Sequence, residues 1–280
     1  MPGDDAGGTV DRVVLYRAPT TVADAGAIAG WLDDRIDAEV RVRERFLDWL
    51  RDGGADGEDS TPAETGGSAT TDDLARAFAE ARVLSPYDRE TGNTMLGIRR
   101  YEERVLADPE RGGGVLYDGL ALQRALNGWL PGRERSLSVL HVVPLDRAIG
   151  TWGDHDGRWH KRVNVLGQPA LVSVPGLYEA PAKPESYYEE KGKHALLSGD
   201  APPREVLEGE VEGRFLIEDD PRTTEALKGY VLQAVHLVET GEAFCDEEGC
   251  RLANPHRQPG VIEAQLEEPA FCPEHAERYA

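Results

Sequence analysis

All three cysteines of this 280-residue chain, Cys245, Cys250 and Cys272, fall within about the last forty residues, and His275 follows the last of them after two intervening positions. Zinc takes four tetrahedral thiolate or imidazole ligands, and structural sites draw them in pairs from short turns. "CDEEGC" sets Cys245 and Cys250 on a glycine-containing turn, and "CPEH" pairs Cys272 with His275. Together the pairs complete a ligand set, so the spacing predicts a tail that folds back until the two segments meet. Phe244 and Phe271 flank the pairs and are expected to supply an apolar shell that keeps the site dry. His256 is a spare ligand should His275 not serve. Three unrelated buried cysteines are the alternative, and it leaves the clustering unexplained. An odd cysteine number in a reducing compartment argues against a disulfide framework. All four positions are filled by protein, so the expected zinc is structural, one per chain, with no room for substrate. Such sites contribute about 10 kcal/mol in small zinc-folded peptides and less in a large domain.

The segment leading into this tail, "DDPRTTEALKGYVLQAVHLVETG", places Leu227, Val231, Ala234 and Val238 on one helical stripe. Tyr230 and Val235 widen the stripe, and Gly241 stands where a left-handed C-cap glycine belongs. Upstream, "DRVVLYRAP" reads as a strand, and "TVADAGAIAGWLDDRI" carries Ala25, Ile28, Trp31, Leu32 and Ile36 at helical spacing. "EVRVRERFLDWL" starts as a strand and finishes as a helix. This β-α-β opening predicts an α/β fold, a mixed twisted sheet with flanking helices. We expect one domain over 1–280, interrupted by a disordered insertion at 53–72, where apolar residues nearly vanish, and ending in a zinc-binding subregion over 241–280.

Other segments define smaller features. "DDLARAFAEARVL" is helical, with Asp72 or Asp73 as its cap. Gly112, Gly113 and Gly114 precede an apolar run with no following lysine and Ser/Thr pair, so a tight turn is expected rather than a phosphate loop. "LSVLHVVPLDRAIGTW" reads as a strand and "GDHDGRWH" as the turn of an antiparallel hairpin. His155 and His160, beside Asp154 and Asp156, offer a cation site there, with exposed turn chemistry as the plainer reading. Asp146 ends a strand and lines a cleft, or caps a turn. "YEAPAKPESYYEEKGKH" reads as an extended surface loop whose Glu179 and Lys183 reach either a substrate or solvent.

Composition narrows the function. The net charge of −21, from 52 acidic against 31 basic residues, repels nucleic acid. A nucleic-acid-binding zinc tail would need a basic patch, whereas "CDEEGC" and "EAQLEEPAFCPEHAE" are acidic. Only Lys161, Lys183, Lys191, Lys193 and Lys228 are lysines, an acidic, lysine-poor composition similar to that of proteins from extremely halophilic archaea. An acidic region for a basic partner is the other reading. No run approaches the ~18 apolar residues of a membrane span, and the N-terminus is acidic where a signal peptide is basic. A soluble, cytoplasmic protein is expected.

The register of Gly241, Cys245 and Cys250 resembles that of the archaemetzincins, zinc peptidases of the metzincin group. Their motif is H-E-x-x-H-x-x-G-x-x-H-C-x4-C-x-M, followed by C-x-x-C. Here Leu252 stands for the methionine and "FCPEH" exchanges the final cysteine for histidine. The resemblance covers about fifty residues and implies a non-catalytic zinc on Cys245, Cys250, Cys272 and His275. The strands "SVLHVVPLDRAIGTW" and "GQPALVSVPGL" also resemble the sheet before the metzincin helix. The chain is similar, too, to archaeal proteins labelled metallopeptidases that share the "EAPAKP" loop and a "TGE-FC" tail without the active-site histidines. In the family register the three catalytic histidines fall on Ala234, Val238 and Phe244, and the general base on Val235. None of these can hold zinc or move a proton, and a catalytic zinc needs three ligands and a base.

Two functions follow. The first is a zinc-binding, archaemetzincin-like protein with a degenerate catalytic site and a binding or regulatory role toward an unidentified protein or peptide. The second is an active metal-dependent hydrolase using non-standard residues, with His236, Glu239 and Glu179 as catalytic candidates and His155 and His160 as further ones. His236 points away from the apolar stripe and is expected at a cleft or on the surface.

Overall fold

A computed structural model describes residues 8–19, 22–54, 69–198, 202–211, 215–267 and 270–280. Most of the sequence expected to be a disordered insertion, 55–68, lies outside them. The chain opens as β1 (Arg12–Tyr16), α1 (Ala25–Asp33) and β2 (Glu39–Arg43), with β1 and β2 parallel, which is the predicted β-α-β unit. Asp24 caps α1 by accepting from the Gly26 and Ala27 N–H groups. Then come α2 (Phe46–Arg51), α3 (Thr71–Glu80), α4 (Leu96–Ala107), β3 (Leu116–Asp118) and α5 (Gly119–Trp129). The strands β4 (Val139–Leu145), β5 (Ala148–Gly153), β6 (Arg158–Arg162), β7 (Asn164–Val165) and β8 (Ala170–Ser173) follow.

A five-stranded sheet has the order β2-β1-β4-β8-β7; its first four strands are parallel, and β7 runs antiparallel along the edge. Successive side chains of a strand point to opposite faces. Val13, Leu15, Leu140, Val142, Ala170 and Val172 therefore enter one core, against α1 and the C-terminal helices. Val14, Tyr16, Val143, Leu145 and Leu171 enter the other, against α2, α3 and α5. Each fully buried Val or Leu contributes about 2 kcal/mol, so both faces of the parallel sheet must stay covered.

Three local expectations are corrected. "LSVLHVVPLDRAIGTW" is two strands: β4 ends at Leu145, Asp146 and Arg147 carry the chain across, and β5 joins a separate sheet of order β3-β5-β6. The β5–β6 pair is the expected antiparallel hairpin. The cap of α3 is Thr70; Asp73 occupies the N3 position of a capping box, since its carboxylate accepts from the Thr70 N–H. The segment expected to be extended beyond Pro184 forms α7 (Glu185–Ser198). Its only buried aromatic, Tyr187, packs with Leu207, Val211 and Phe215, while Leu196 and Leu197 are exposed, so no apolar stripe announced the helix.

Between β8 and α7 lies α6 (Val174–Glu179), and α8 (Arg204–Glu210) follows α7. The last helices are α9 (Thr223–Thr240), α10 (Gln258–Ile262) and α11 (Pro273–Tyr279).

Candidate metal centre

The helix α9 crosses the sheet with Leu227, Tyr230, Val231, Ala234, Val235 and Val238 all buried, the stripe read from the sequence. Gly241 ends it in the left-handed region at φ 80°, a conformation that glycine adopts without steric cost. The chain then turns through "CDEEGC". Cys245 N–H donates to the Leu252 carbonyl, the Ala253 N–H to the Cys250 carbonyl, and the Cys250 N–H to Glu247. Arg251 N–H reaches across to the Ala270 carbonyl at 2.9 Å, and this contact brings Cys272 beside the first pair. Cys272 stands immediately before α11, whose third residue is His275.

The four donor atoms of Cys245, Cys250, Cys272 and His275 all lie within 4.8 Å of one another, a group able to hold a metal ion. The Cys245 and Cys272 sulfurs are 3.8 Å apart. His275 Nδ1 lies 3.7 Å from Cys250 Sγ and 3.0 Å from Cys272 Sγ. Around a tetrahedral zinc, Zn–S and Zn–N bonds of roughly 2.3 and 2.0 Å put neighbouring ligand atoms about 3.5–3.8 Å apart. The cluster has that size. The Glu247 N–H also points at Cys245 Sγ from 3.4 Å, a hydrogen bond that favours thiolate. In the metal-free chain burial outweighs it and, with the neighbouring thiols, pushes the Cys245 thiol up to about 12. A bound cation must therefore displace protons from this cluster.

The sequence reading missed the residues that support the turn. Gln233, wholly buried on α9, donates to the Ala253 carbonyl at 2.8 Å and accepts from Asn164 on β7. Gln265 donates to the Arg251 carbonyl at 2.9 Å. Arg251 itself is buried, pairs with Glu225 and lies over the Trp31 ring. A Cβ on Gly229 would come within 2.8 Å of the Arg251 carbonyl, so glycine in mid-helix marks where α9 and the turn touch. That glycine was the one signal available beforehand, because an interior helical glycine costs stability unless close packing requires it.

The apolar shell differs from expectation. Phe271 packs against Trp31 and Tyr279, but Phe244 is exposed and lines a surface cleft beside Ala180 and His256. His256 is exposed and outside the cluster, so it does not complete the donor set. His236 is corrected most sharply. It lies at 2 % exposure, its Nδ1 3.1 Å from the Tyr279 hydroxyl and its ring edge-on to His275. The face of α9 opposite the sheet is covered by α11, so a histidine off the main stripe is buried as well.

Glu239 joins His236 through the Tyr279 hydroxyl, whereas the remaining candidates lie elsewhere. Glu239 accepts from Tyr279 and Arg278. Glu179 pairs with Lys161, and Lys183 with Glu208 and the Leu216 carbonyl. His155, Asp156 and His160 gather at the β5–β6 turn: His160 Nε2 is 3.0 Å and His155 Nε2 3.7 Å from one Asp156 oxygen. Ala234, Val235 and Val238, at the positions where the archaemetzincin motif has histidines and its base, are buried in the core.

Fold and cluster define a mixed α/β protein whose last helices enclose a Cys3His group. The chain belongs to the family of unknown function DUF7001, whose model matches residues 14–278. No curated protein sequence matches it. Among solved structures it is similar to archaemetzincin from Methanopyrus kandleri, at 13% identity and a TM-score of 0.41, over 96% of this chain and 93% of that one. So distant a likeness leaves activity to be judged on this chain's own side chains.

Proposed function

We propose that the protein is a zinc-holding relative of the archaemetzincins in which Cys245, Cys250, Cys272 and His275 bind one structural zinc and the peptidase centre has given way to apolar packing. Its role is then binding or regulation toward a protein or peptide partner. The observation that carries the zinc reading is the cluster itself: three thiols and an imidazole from two segments, at tetrahedral ligand spacing. Bound zinc would join the turn after α9 to α11 and so contribute folding energy. Against catalysis stand the side chains at the motif positions. Ala234, Val235 and Val238 offer neither ligand nor base, and His236 is engaged by Tyr279. The halophilic reading rests on composition: five lysines and a net charge of −21.

Of the rival hydrolase's candidates, His236 pairs with Tyr279 and Glu179 with Lys161, while His155 and His160 meet around Asp156, a carboxylate already held by Arg158. Elemental analysis of purified protein, together with a broad peptidase screen, tests the proposal. It requires one tightly held zinc and no activity that a chelator abolishes. Two metals, one removable with loss of peptidase activity, would refute it.

A further inference from the structure

Away from the cysteines, a cleft of about 810 Å³ opens where the parallel strands end. Pro19 follows β1, Asp146 and Arg147 follow β4, and Val174 follows β8; all four line it. Open α/β sheets bind ligands in just this place, outside the carboxyl ends of their strands. The glycine run Gly112–Gly114, for which the sequence offered only a turn, forms part of the wall, and Gly114 is left-handed at φ 68°.

Arg147 is the unusual member. Its side chain is only 3 % exposed, yet Nε and Nη2 make no hydrogen bond among the described residues. The nearest carboxylate, Asp146, is 3.8 Å from Nε, beyond hydrogen-bond reach. Burial raises the Asp146 carboxyl, which weakens it further as a counter-ion. Glu102 accepts from Arg82 and the Tyr117 hydroxyl and faces Arg147 through charge alone, with no hydrogen bond between them. The guanidinium is nonetheless firmly placed. It lies over the Phe78 and Tyr117 rings, and the Ser173 hydroxyl donates to the Arg147 carbonyl at 2.7 Å. A Cβ on Gly112 would fall 2.4 Å from Nη1, so glycine at this position is what lets the guanidinium pack against the turn. A desolvated, preorganised guanidinium with two nitrogens unbonded among the described residues has the donor chemistry for a carboxylate or phosphate.

The rest of the cleft selects between those anions. Glu179, Glu218 and Asp219 line it, and the chain carries −21 overall, so a dianion meets repulsion on entry. We propose that the cleft binds a small zwitterion of the α-amino-acid class, its carboxylate on Arg147 and its ammonium toward the acidic rim at Glu218 and Asp219. None of the four Cys3His residues lines this cleft, so the proposal stands apart from the zinc reading.

Calorimetric titration of the full-length chain with L-lysine and with L-lysinamide tests it, with inorganic phosphate as the comparison anion. L-lysine saturates at one per chain, and L-lysinamide, which lacks the carboxylate, binds at least tenfold more weakly. Arg147→Met abolishes L-lysine binding, and Gly112→Ala, whose Cβ displaces the guanidinium, weakens it at least tenfold. If Arg147→Met does not fold, the wild-type pair of ligands still decides. Equal binding of L-lysine and L-lysinamide, no L-lysine binding, tighter binding of phosphate, or unchanged affinity in folded Arg147→Met would each overturn the proposal.

Discussion

Among the described residues, two groups of side chains could hold a metal, and they are built in opposite ways. His155, Asp156 and His160 come from one hairpin turn, with His155 and Asp156 exposed, and Asp156 is already engaged by Arg158 at 2.7 Å. Cys245, Cys250, Cys272 and His275 come from two segments joined by backbone hydrogen bonds, with Cys250 and His275 buried. The hairpin group owes its closeness to local geometry and needs no ion to explain it. The tail group is different: its three thiols come from two segments, and bringing them together costs chain entropy. Where donors are gathered from afar and shielded from water, a ligand is the economical explanation.

The contrast can be broken or sharpened by substitution. Cys250→Ser should have the largest effect, removing the metal and about 4 kcal/mol of stability, or roughly 10 °C in melting temperature. Unchanged melting would show that the tail needs no metal. Gln233→Leu leaves the buried Ala253 carbonyl without its donor and should cost about 2 kcal/mol. Its melting temperature should fall by a few degrees, with zinc retained but released faster to a chelator. Replacing His155 and His160 together by alanine should change stability by less than about 0.5 kcal/mol and leave metal content untouched.

Acidification separates the groups again. The tail thiols must lose protons to bind a cation, so metal release should increase steadily as pH falls, followed by a zinc-sensitive dye. At the hairpin, the His160 hydrogen bond holds the Asp156 carboxyl below the usual range, with Arg158 assisting. A depressed carboxyl favours the folded state above its unfolded value and loses that effect as pH drops through the folded one. Asp156 is exposed, so the acid melting curve of the double histidine variant should overlay that of the parent.

The fold was legible wherever a period was clean. The β-α-β opening, the α9 stripe and the Gly241 cap followed from apolar spacing and one left-handed glycine. α7 was illegible because its solvated faces leave no stripe, and the β4–β5 break was hidden because strand-like residues continue through the change of sheet. In the tail, spacing pointed to the four side chains that lie together, with His256 as the alternative that the structure places outside the cluster. Their supports were not readable, since Gln233, Gln265 and Arg251 meet only after α9 and the turn have packed. His236 shows the same limit: helical phase identifies the stripe facing the sheet, but not that α11 covers the other side.

Metal content across the variants tests the central claim most directly. Zinc per chain, measured by elemental analysis on parent, Cys250→Ser and the His155/His160 double variant, should be one, near zero and one. Zinc that is absent from the parent, or that survives in Cys250→Ser, would contradict the account.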